Sequence, residues 1–262
     1  MVAAGATLAK LTDAIVAAGG PRYDSREIDP VNDRDGGAPG ANIRVVFLFN
    51  PARMSFVDRG GADVDRSTTG TGIVKRGGEP SLTLSPGRID PSNAVWSDSR
   101  KPLAGEFTFR GRRVIVIANH FNSKGGDQNA DGRFQFPFQS SAVQRAGQAS
   151  VEHDFVASAL AVDRKANVVV LGDLNDFQFS PALSALRTGR ADGAAASILA
   201  DLITTLPLDR QYTYVFNGVS QVLDHILVSA GVGGVQYEVV HINAEYADQV
   251  SDHDPQVVRL EP

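Results

Sequence analysis

Four short polar clusters close apolar runs, where a strand hands side chains to the edge of a sheet. Asn119-His120 follows the run 115–118, and Gly172-Asp173-Leu174-Asn175-Asp176 follows 168–171. Asp224-His225 is set between Val222-Leu223 and Ile226, and Ser251-Asp252-His253-Asp254-Pro255 precedes the last apolar run. Singly, most have ordinary explanations: a satisfied Asn-His turn, a Gly-Asp-x-Asn strand-to-loop turn, a capped turn at 251–255. Asp224-His225 is harder to explain this way, because a buried ionisable group is costly unless paired or liganded. Together, carboxylates, an amide and imidazoles without cysteine favour a hard cation, Mg²⁺ or Mn²⁺. Such an ion polarises a phosphoryl oxygen while a carboxylate or a His–Asp pair activates water. Phosphodiester hydrolysis uses this set. No HExxH, GxSxG, P-loop or dinucleotide fingerprint competes with it.

Strands, helices and loops must bring the clusters together. Leu8, Leu11 and Ile15 recur at helical spacing over 1–18, and Gly19-Gly20-Pro21 stops that helix. Residues 24–42 read as loop, with Asp29, Asp33 and Asp35 solvated, and 43–49 as a buried strand ended by Asn50-Pro51. The Gly-, Pro- and Ser-rich stretch 58–104 promises few elements and the most mobility. Residues 106–109 and 114–117 flank a tight turn at Gly111-Arg112, as in a hairpin. After the loop 124–138, residues 140–162 form the longest helix, with Val143, Ala146, Phe155, Ala159 and Leu160 near one face. A buried strand at 168–171 runs into the second cluster. The segments 212–216 and 222–228 straddle Asn217-Gly218, a strong hairpin turn. Strands at 235–242 and 256–260 finish the chain. Hairpins mixed with helical crossovers predict mixed sheets covered by helices in one domain.

Composition sets outer limits. The 262 residues, 42% hydrophobic and 21% charged, exclude a wholly disordered chain. The absence of cysteine excludes disulfide scaffolds, thiolate metal sites and cysteine nucleophiles. A net charge of −5 argues against a broad basic surface but leaves room for a local basic cleft. No apolar run reaches the roughly 18 residues of a membrane span. Thr7, Lys10, Thr12 and Asp13 interrupt the apolar region a signal peptide would need.

At the four clusters the chain resembles the endonuclease/exonuclease/phosphatase superfamily, and within it the bacterial extracellular nuclease branch. The resemblance rests on Asn119-His120-Phe121-Asn122-Ser123-Lys124-Gly125-Gly126, Gly172-Asp173-Leu174-Asn175-Asp176-Phe177, Tyr212-Thr213-Tyr214 through Leu223-Asp224-His225-Ile226, and Ser251-Asp252-His253-Asp254-Pro255, in order over roughly residues 40–260. It implies an α/β four-layer sandwich of two mixed, mainly antiparallel sheets flanked by helices, with the active site at the sheet edges. It implies His253 as general base oriented by Asp224, and Asp252 as a metal ligand. Asp173 and Asn175 would position the nucleophile and contact the scissile phosphate. His120 would bind a phosphate oxygen, with Asn119 beside it. Arg100 and Lys124 would contact phosphate. The activity implied is a Mg²⁺- or Mn²⁺-dependent secreted endonuclease acting on DNA or RNA, with no obligate protein partner. A phosphatase or phospholipid phosphodiesterase of the same superfamily shares this chemistry.

The resemblance also has a gap. Family members open with a strand bearing an Asn and a second strand ending in a metal-binding Glu. Before residue 110 this sequence offers only Glu27, Glu79 and Glu106, none after an apolar strand. The expectation is a single domain over 1–262 that lacks those strands, with exposed strand edges and impaired metal binding. Two weaker signals lie in the loop 124–138. Asp127, Asn129 and Asp131 match the start of a calcium loop, but position twelve is Phe138 rather than Glu, so Ca²⁺ competes with a plain Asx-rich turn. Arg133, Phe134, Phe136 and Phe138 either stack on unpaired bases or pin the loop to the core.

Overall fold

The alternation of side chains along three strands decides the layers. The computed structural model describes residues 4–36, 42–129, 132–242 and 244–262. In β9 (Arg112–His120), Ile115 and Ile117 enter the main core while Val114, Val116 and Ala118 pack on the opposite face. In β10 (Asn167–Asp173), Val168 and Val170 enter the main core while Val169 and Leu171 turn away. In β14 (Asp224–Ser229), Leu227 faces the main core while Ile226 and Val228 turn away. The same parity puts His120, Asp173 and Asp224 on the face away from the main core. Pairing aligns them laterally: Asp173 stands opposite His120 in the parallel β9/β10 ladder and opposite Asp224 in the antiparallel β10/β14 ladder.

The remaining elements fill in around this axis. In chain order they are helix α1 (Ala4–Ala17), then β1 (Asp24–Arg26), β2 (Phe47–Phe49), β3 (Ser55–Phe56), β4 (Gly70–Thr71), β5 (Ile73–Arg76), β6 (Glu79–Leu82), β7 (Gly87–Ile89) and β8 (Leu103–Phe109). After β9 come α2 (Ser140–Val162), β10, α3 (Pro181–Thr188), β11 (Leu199–Asp201), β12 (Tyr214–Phe216), β13 (Val219–Gln221), β14, β15 (Gly233–Val239) and β16 (Gln256–Glu261). The eight-stranded sheet runs β11-β14-β10-β9-β8-β7-β4, with β3 added on β8. Residues of α2 and α3 pack in the main core on one face, around Phe155, Val156, Leu183 and Leu186. The other face is covered by two separate two-stranded ladders. The first, β1/β2, packs Phe47 and Phe49 on Leu103 and Phe107. The second, β15/β16, packs Val235, Tyr237, Val258 and Leu260 on Ile226 and Val228. The architecture is thus a mixed α/β layering, and among the described residues these two ladders stand where a continuous second sheet was expected. No helix among the described residues is long and apolar enough to cross a membrane.

Several local expectations need correction. The stretch 58–104 holds β4 to β7 and the start of β8, and it contributes Leu82, Ile89 and Trp96 to the main core. Its strands are two to four residues long and separated by turn residues, so no period could build up in the sequence. Asp35 is not solvated: it is buried and pairs with Arg88 at 2.8 Å and Lys101 at 2.9 Å. The Asn217-Gly218 hairpin exists, with both residues at positive φ (50° and 77°), but its second strand is β13. The strand 222–228 belongs instead to the main sheet as β14. Of 43–49, only Phe47–Phe49 is strand.

The longest helix has the expected bounds and a different face. Val143 is exposed, whereas Ser141, Arg145, Gln148 and Glu152 are buried at helical spacing ahead of Phe155 and Ala159. Its first turn is capped from a distance. Asp127 Oδ1 accepts from Ser141 N at 2.9 Å, and Oδ2 accepts from the Ser141 hydroxyl. Asp127 therefore caps α2, Asn129 accepts from Gly132 N through its carbonyl, and Asp131 lies outside the described residues. Asp127→Ala should lower stability by about 1 kcal/mol. Chemical denaturation with and without Ca²⁺ should show the same loss; a Ca²⁺-dependent rise in stability of the unsubstituted protein would restore the calcium reading.

Candidate active site

The lateral alignment of β9, β10 and β14 brings the clusters to one sheet edge. Asp173, Asp224 and His253 each offer a ligand atom within 4.8 Å of the others, the sole such trio among the described residues. His253 arrives from the segment before β16 and is seated by a bridge to Tyr214. Its Nδ1 donates to Asp224 Oδ2 at 2.7 Å, which leaves Nε2 free to accept a proton. Burial would lower the His253 pKa, but the hydrogen bond and charge of Asp224, with Asp173 and Asp252 behind it, raise it. His120 Nε2 stands 3.5 Å from Asp173 Oδ2. Burial, then the charges of Arg100 and His253, depress the His120 pKa to about 4, so its ring is neutral at pH 7.

Two residues of the second cluster hold Asp173 in place. Asn175 donates from N to Asp173 Oδ1 at 2.8 Å and from Nδ2 to Oδ2 at 3.2 Å. Nδ2 also reaches Phe121 O at 3.0 Å. Gly172 has φ +125°, and a Cβ there would lie 2.2 Å from Asn119 O, so only glycine lets β10 approach β9 this closely. Arg100 lies buried beneath, with Nη2 donating to Phe121 O at 2.7 Å and Nε without a partner. Lys124 Nζ donates to Asn175 O at 2.6 Å and lies 4.3 Å from the Phe177 ring centroid. Asp252 is half-buried; its carbonyl accepts from Val215 N and its charge acts on His253.

Asn119 is a correction. The alternation that sends His120 to the cleft sends Asn119 to the opposite face, where Nδ2 donates to Glu152 Oε1 at 2.9 Å. Its amide is buried and is not among the groups that face a phosphate. The three early glutamates also stay away from the centre. Glu106 is buried on β8 between Arg59 (2.7 Å) and Arg113 (2.9 Å), Glu79 lies 3.7 Å from Arg113, and Glu27 lies 3.4 Å from Arg44.

Further polar residues support the site, two of them, Arg145 and Gln148 on α2, not singled out in the sequence. Arg145 on α2 bonds Asp176 at 2.9 Å, and Gln148 accepts from Asn122 N at 3.0 Å. His225, on the core side of β14, has Nδ1 2.9 Å from Asp201 Oδ2 and Nε2 2.9 Å from Asp176 O. Both nitrogens face oxygens, an arrangement that suits a ring donating from each of them. Burial opposes the charge of such a ring, but Asp201 prevails and raises its pKa. The signal for the α2 groups was their 4-3-4 spacing at 141, 145, 148 and 152, continuous with Phe155 and Ala159.

The centre fits a hard divalent cation. Burial, and next the neighbouring charge of Asp224, push the Asp173 pKa up to about 6. Two carboxylates thus converge with no lysine or arginine among the described residues hydrogen-bonded to either, and their oxygens suit a cation that keeps several waters. This agrees with the Mg²⁺ or Mn²⁺ expected from the sequence as to class, and the donors do not choose between the two.

A sequence model described as the Endonuclease/Exonuclease/phosphatase family matches residues 20–253. No curated protein sequence matches the chain. Among solved structures, a mannosyl-6-phosphatase of Bacteroides thetaiotaomicron VPI-5482 is similar over 97% of this chain and 82% of its own, with 17% identity and a TM-score of 0.55. The human Nocturnin catalytic domain is similar over 96% of this chain and 75% of its own, with 12% identity and a TM-score of 0.57. TDP2 of D. rerio, complexed with a single-strand DNA product, is similar over 100% of this chain and 83% of its own, with 13% identity and a TM-score of 0.55. At these identities the likeness is one of fold.

Proposed function

The chain belongs to the Endonuclease/Exonuclease/phosphatase family, whose members hydrolyse phosphoester bonds, and we propose that it is a divalent-cation-dependent phosphodiesterase acting on nucleic acid. One observation carries this reading: a His253–Asp224 pair at 2.7 Å beside a second carboxylate, Asp173, with the His253 Nε2 left open. Asp173 and Asp224 would hold the cation; Asp252, the ligand the resemblance implies, acts on His253 by its charge and is not one of the three side chains that converge within 4.8 Å. The cation supplies positive charge to the phosphoryl oxygens. His253 takes the proton of the attacking water at Nε2, and Asp224 fixes its tautomer and stabilises the imidazolium that forms. Neutral His120 donates a hydrogen bond to a non-bridging oxygen as charge grows there, and Arg100 adds positive charge beneath it. Asn175 holds the Asp173 carboxylate toward the cleft.

Nucleic acid is favoured over smaller phosphoesters because exposed aromatic side chains stand close to the catalytic groups, Phe179 stacked on Phe177 and Phe216 on Tyr214, whose ring adjoins His253. Phe134, Phe136 and Phe138 are exposed, so the loop 132–138 is not pinned to the core through these rings. The D. rerio TDP2 complex holds single-strand DNA on the same fold. The test is a panel of bis(p-nitrophenyl) phosphate, p-nitrophenyl phosphate, an oligodeoxynucleotide and an oligoribonucleotide. Hydrolysis of the diester and of at least one oligonucleotide, stopped by EDTA and restored by Mg²⁺ or Mn²⁺, is the expected result. Turnover of the monoester alone would make the protein a phosphatase, and turnover indifferent to EDTA would remove the cation from the reading.

A further inference from the structure

Two pairs of parallel aromatic rings border the catalytic centre, and neither closes the core. Phe177 and Phe179 stack with ring centroids 5.4 Å apart and planes 27° apart, and Phe179 is 76% exposed. Tyr214 and Phe216 stack at 6.1 Å with planes 9° apart, and Phe216 is 53% exposed. Each pair is tied to a different catalytic group. Lys124 lies over Phe177 while donating to Asn175 O, and the Asn175 side chain holds Asp173. The Tyr214 ring lies 4.7 Å from the His253 ring. Gln178 Nε2 donates to Gln211 Oε1 at 3.3 Å, so the segments that carry the two pairs touch.

Each pair presents contiguous ring surface beside the catalytic groups, and the core gains nothing from the exposed faces. A duplex hides its base faces inside the stack, and a chain with net charge −5 offers no broad basic surface for its two backbones. A single strand exposes base faces that stack on aromatic rings irrespective of sequence. The lysine over Phe177 places one cation where a backbone phosphate would run beside a stacked base.

We propose that Phe177–Phe179 and Tyr214–Phe216 form a stacking platform for the unpaired bases flanking a phosphodiester at the catalytic centre, which makes single-stranded nucleic acid the substrate. This deepens the function proposed above and rests on it. The platform reads bases by their faces, so it confers strand-state selectivity without sequence selectivity. Its strength lies in ring contact, and charge alone is not enough to replace it.

Binding measured without turnover tests the platform apart from the chemistry. Fluorescence anisotropy in EDTA would compare a thymidine oligonucleotide, an abasic strand of equal length and a hairpin duplex. The expected order is base-bearing single strand tightest, by about tenfold or more over the abasic strand. Phe179→Ala and Phe216→Ala should each weaken the base-bearing strand by about 5- to 100-fold and narrow its advantage over the abasic one. Both rings are exposed, so these variants should fold, and matching circular dichroism melts check it. Equal affinity for base-bearing and abasic strands, tighter binding of the duplex, or retained preference in the double variant would overturn the platform. So would loss, in the variants, of binding to phosphatidylglycerol vesicles without loss of oligonucleotide binding, which would assign the rings to a lipid surface. Base-dependent binding by a protein that hydrolyses no diester would leave the platform standing and defeat the phosphodiesterase reading.

Discussion

Replacing Asp224 by Asn lowers the turnover of a phosphodiester by about 10³- to 10⁴-fold while the protein stays folded, as expected for the orienting carboxylate of a His-activated nucleophile. Toward His253 the carboxylate has two tasks. It accepts from His253 Nδ1 at 2.7 Å, so Nε2 is the unprotonated nitrogen and can take a proton from water. It also faces the imidazolium that forms when that proton arrives. Asparagine keeps the shape and loses the charge. If its amide nitrogen turns to His253, Nδ1 must become the acceptor, Nε2 carries the proton and the base is lost. If its oxygen turns to His253, the tautomer survives without the stabilising charge. The strand itself should not notice, because Asp224 N is held by Thr213 Oγ1 at 3.0 Å and β14 stays in register with β10. Turnover of bis(p-nitrophenyl) phosphate at saturating Mg²⁺ or Mn²⁺, with a circular dichroism melt, checks both halves. Activity within tenfold of the unsubstituted protein would remove Asp224 from the mechanism, and an unfolded variant would call for Asp224→Glu in its place.

The sequence was most legible where a local rule has a global consequence. Side chains alternate along a strand, so the residues ending three adjacent strands share a face once their registers are set. His120, Asp173 and Asp224 follow from that rule, and it also explains the failure at Asn119, one residue out of phase with His120. The same shift separates Asp224, in the cleft, from His225, bonded to Asp201 in the core. A sequence shows both residues of such a pair with equal weight, and only the register tells which faces the substrate. The last cluster divided likewise. His253 reaches Asp224, whereas Asp254 is buried against His241 at 2.9 Å and Ile242 N at 2.8 Å and holds the segment that presents His253.

Legibility was lowest where polar residues do structural work. Helix α2 was assigned its inner face by its apolar residues, and that choice put exposed Val143 inside. Its true inner face begins Ser141, Arg145, Gln148 and Glu152, because it lies under the loops that follow β9 and β10 and must satisfy their backbone groups. Gln148 bonds Asn122 N, Val95 O and Ser99 Oγ; Arg145 bonds Asp176, Asn122 O and Ser141. A hydrophobic period cannot find such a face. The stretch 58–104 failed for a related reason. Its strands are short and its turns frequent, yet the Asp35–Arg88–Lys101 cluster and buried Trp96 tie it to the body. Those pairings span some 50 to 70 residues of chain and have no local signature.

Glu152 carries the second large effect, and it concerns stability against pH. Its side chain is completely buried on α2, and among the described residues its one partner is Asn119 Nδ2, bonded to Oε1 at 2.9 Å. Asn119 Oδ1 and Glu152 Oε2 are both buried without a partner, two acceptors in one carboxyl–amide pair. A proton on Glu152 turns one of them into a donor, and burial accordingly pushes its pKa up to about 8 from an ordinary 4.5. The folded state therefore binds a proton that the unfolded chain has released. Stability from this group is complete below pH 4.5, falls by about 1.4 kcal/mol for each pH unit above it, and levels off once pH passes about 8. Over that window the loss is on the order of several kcal/mol, less whatever the buried site recovers by relaxing. Glu152→Gln keeps an oxygen for Asn119 Nδ2 and has no titrating proton. The variant should match the unsubstituted protein near pH 5 and exceed it increasingly up to pH 8, where the gain reaches a large share of an ordinary domain's stability. Denaturant melts of both proteins at half-unit intervals measure the difference, and every other titrating group cancels from it. Two stability curves that run parallel from pH 5 to pH 8.5 would mean that Glu152 is ionised in the fold, with an unseen cation or water answering its charge.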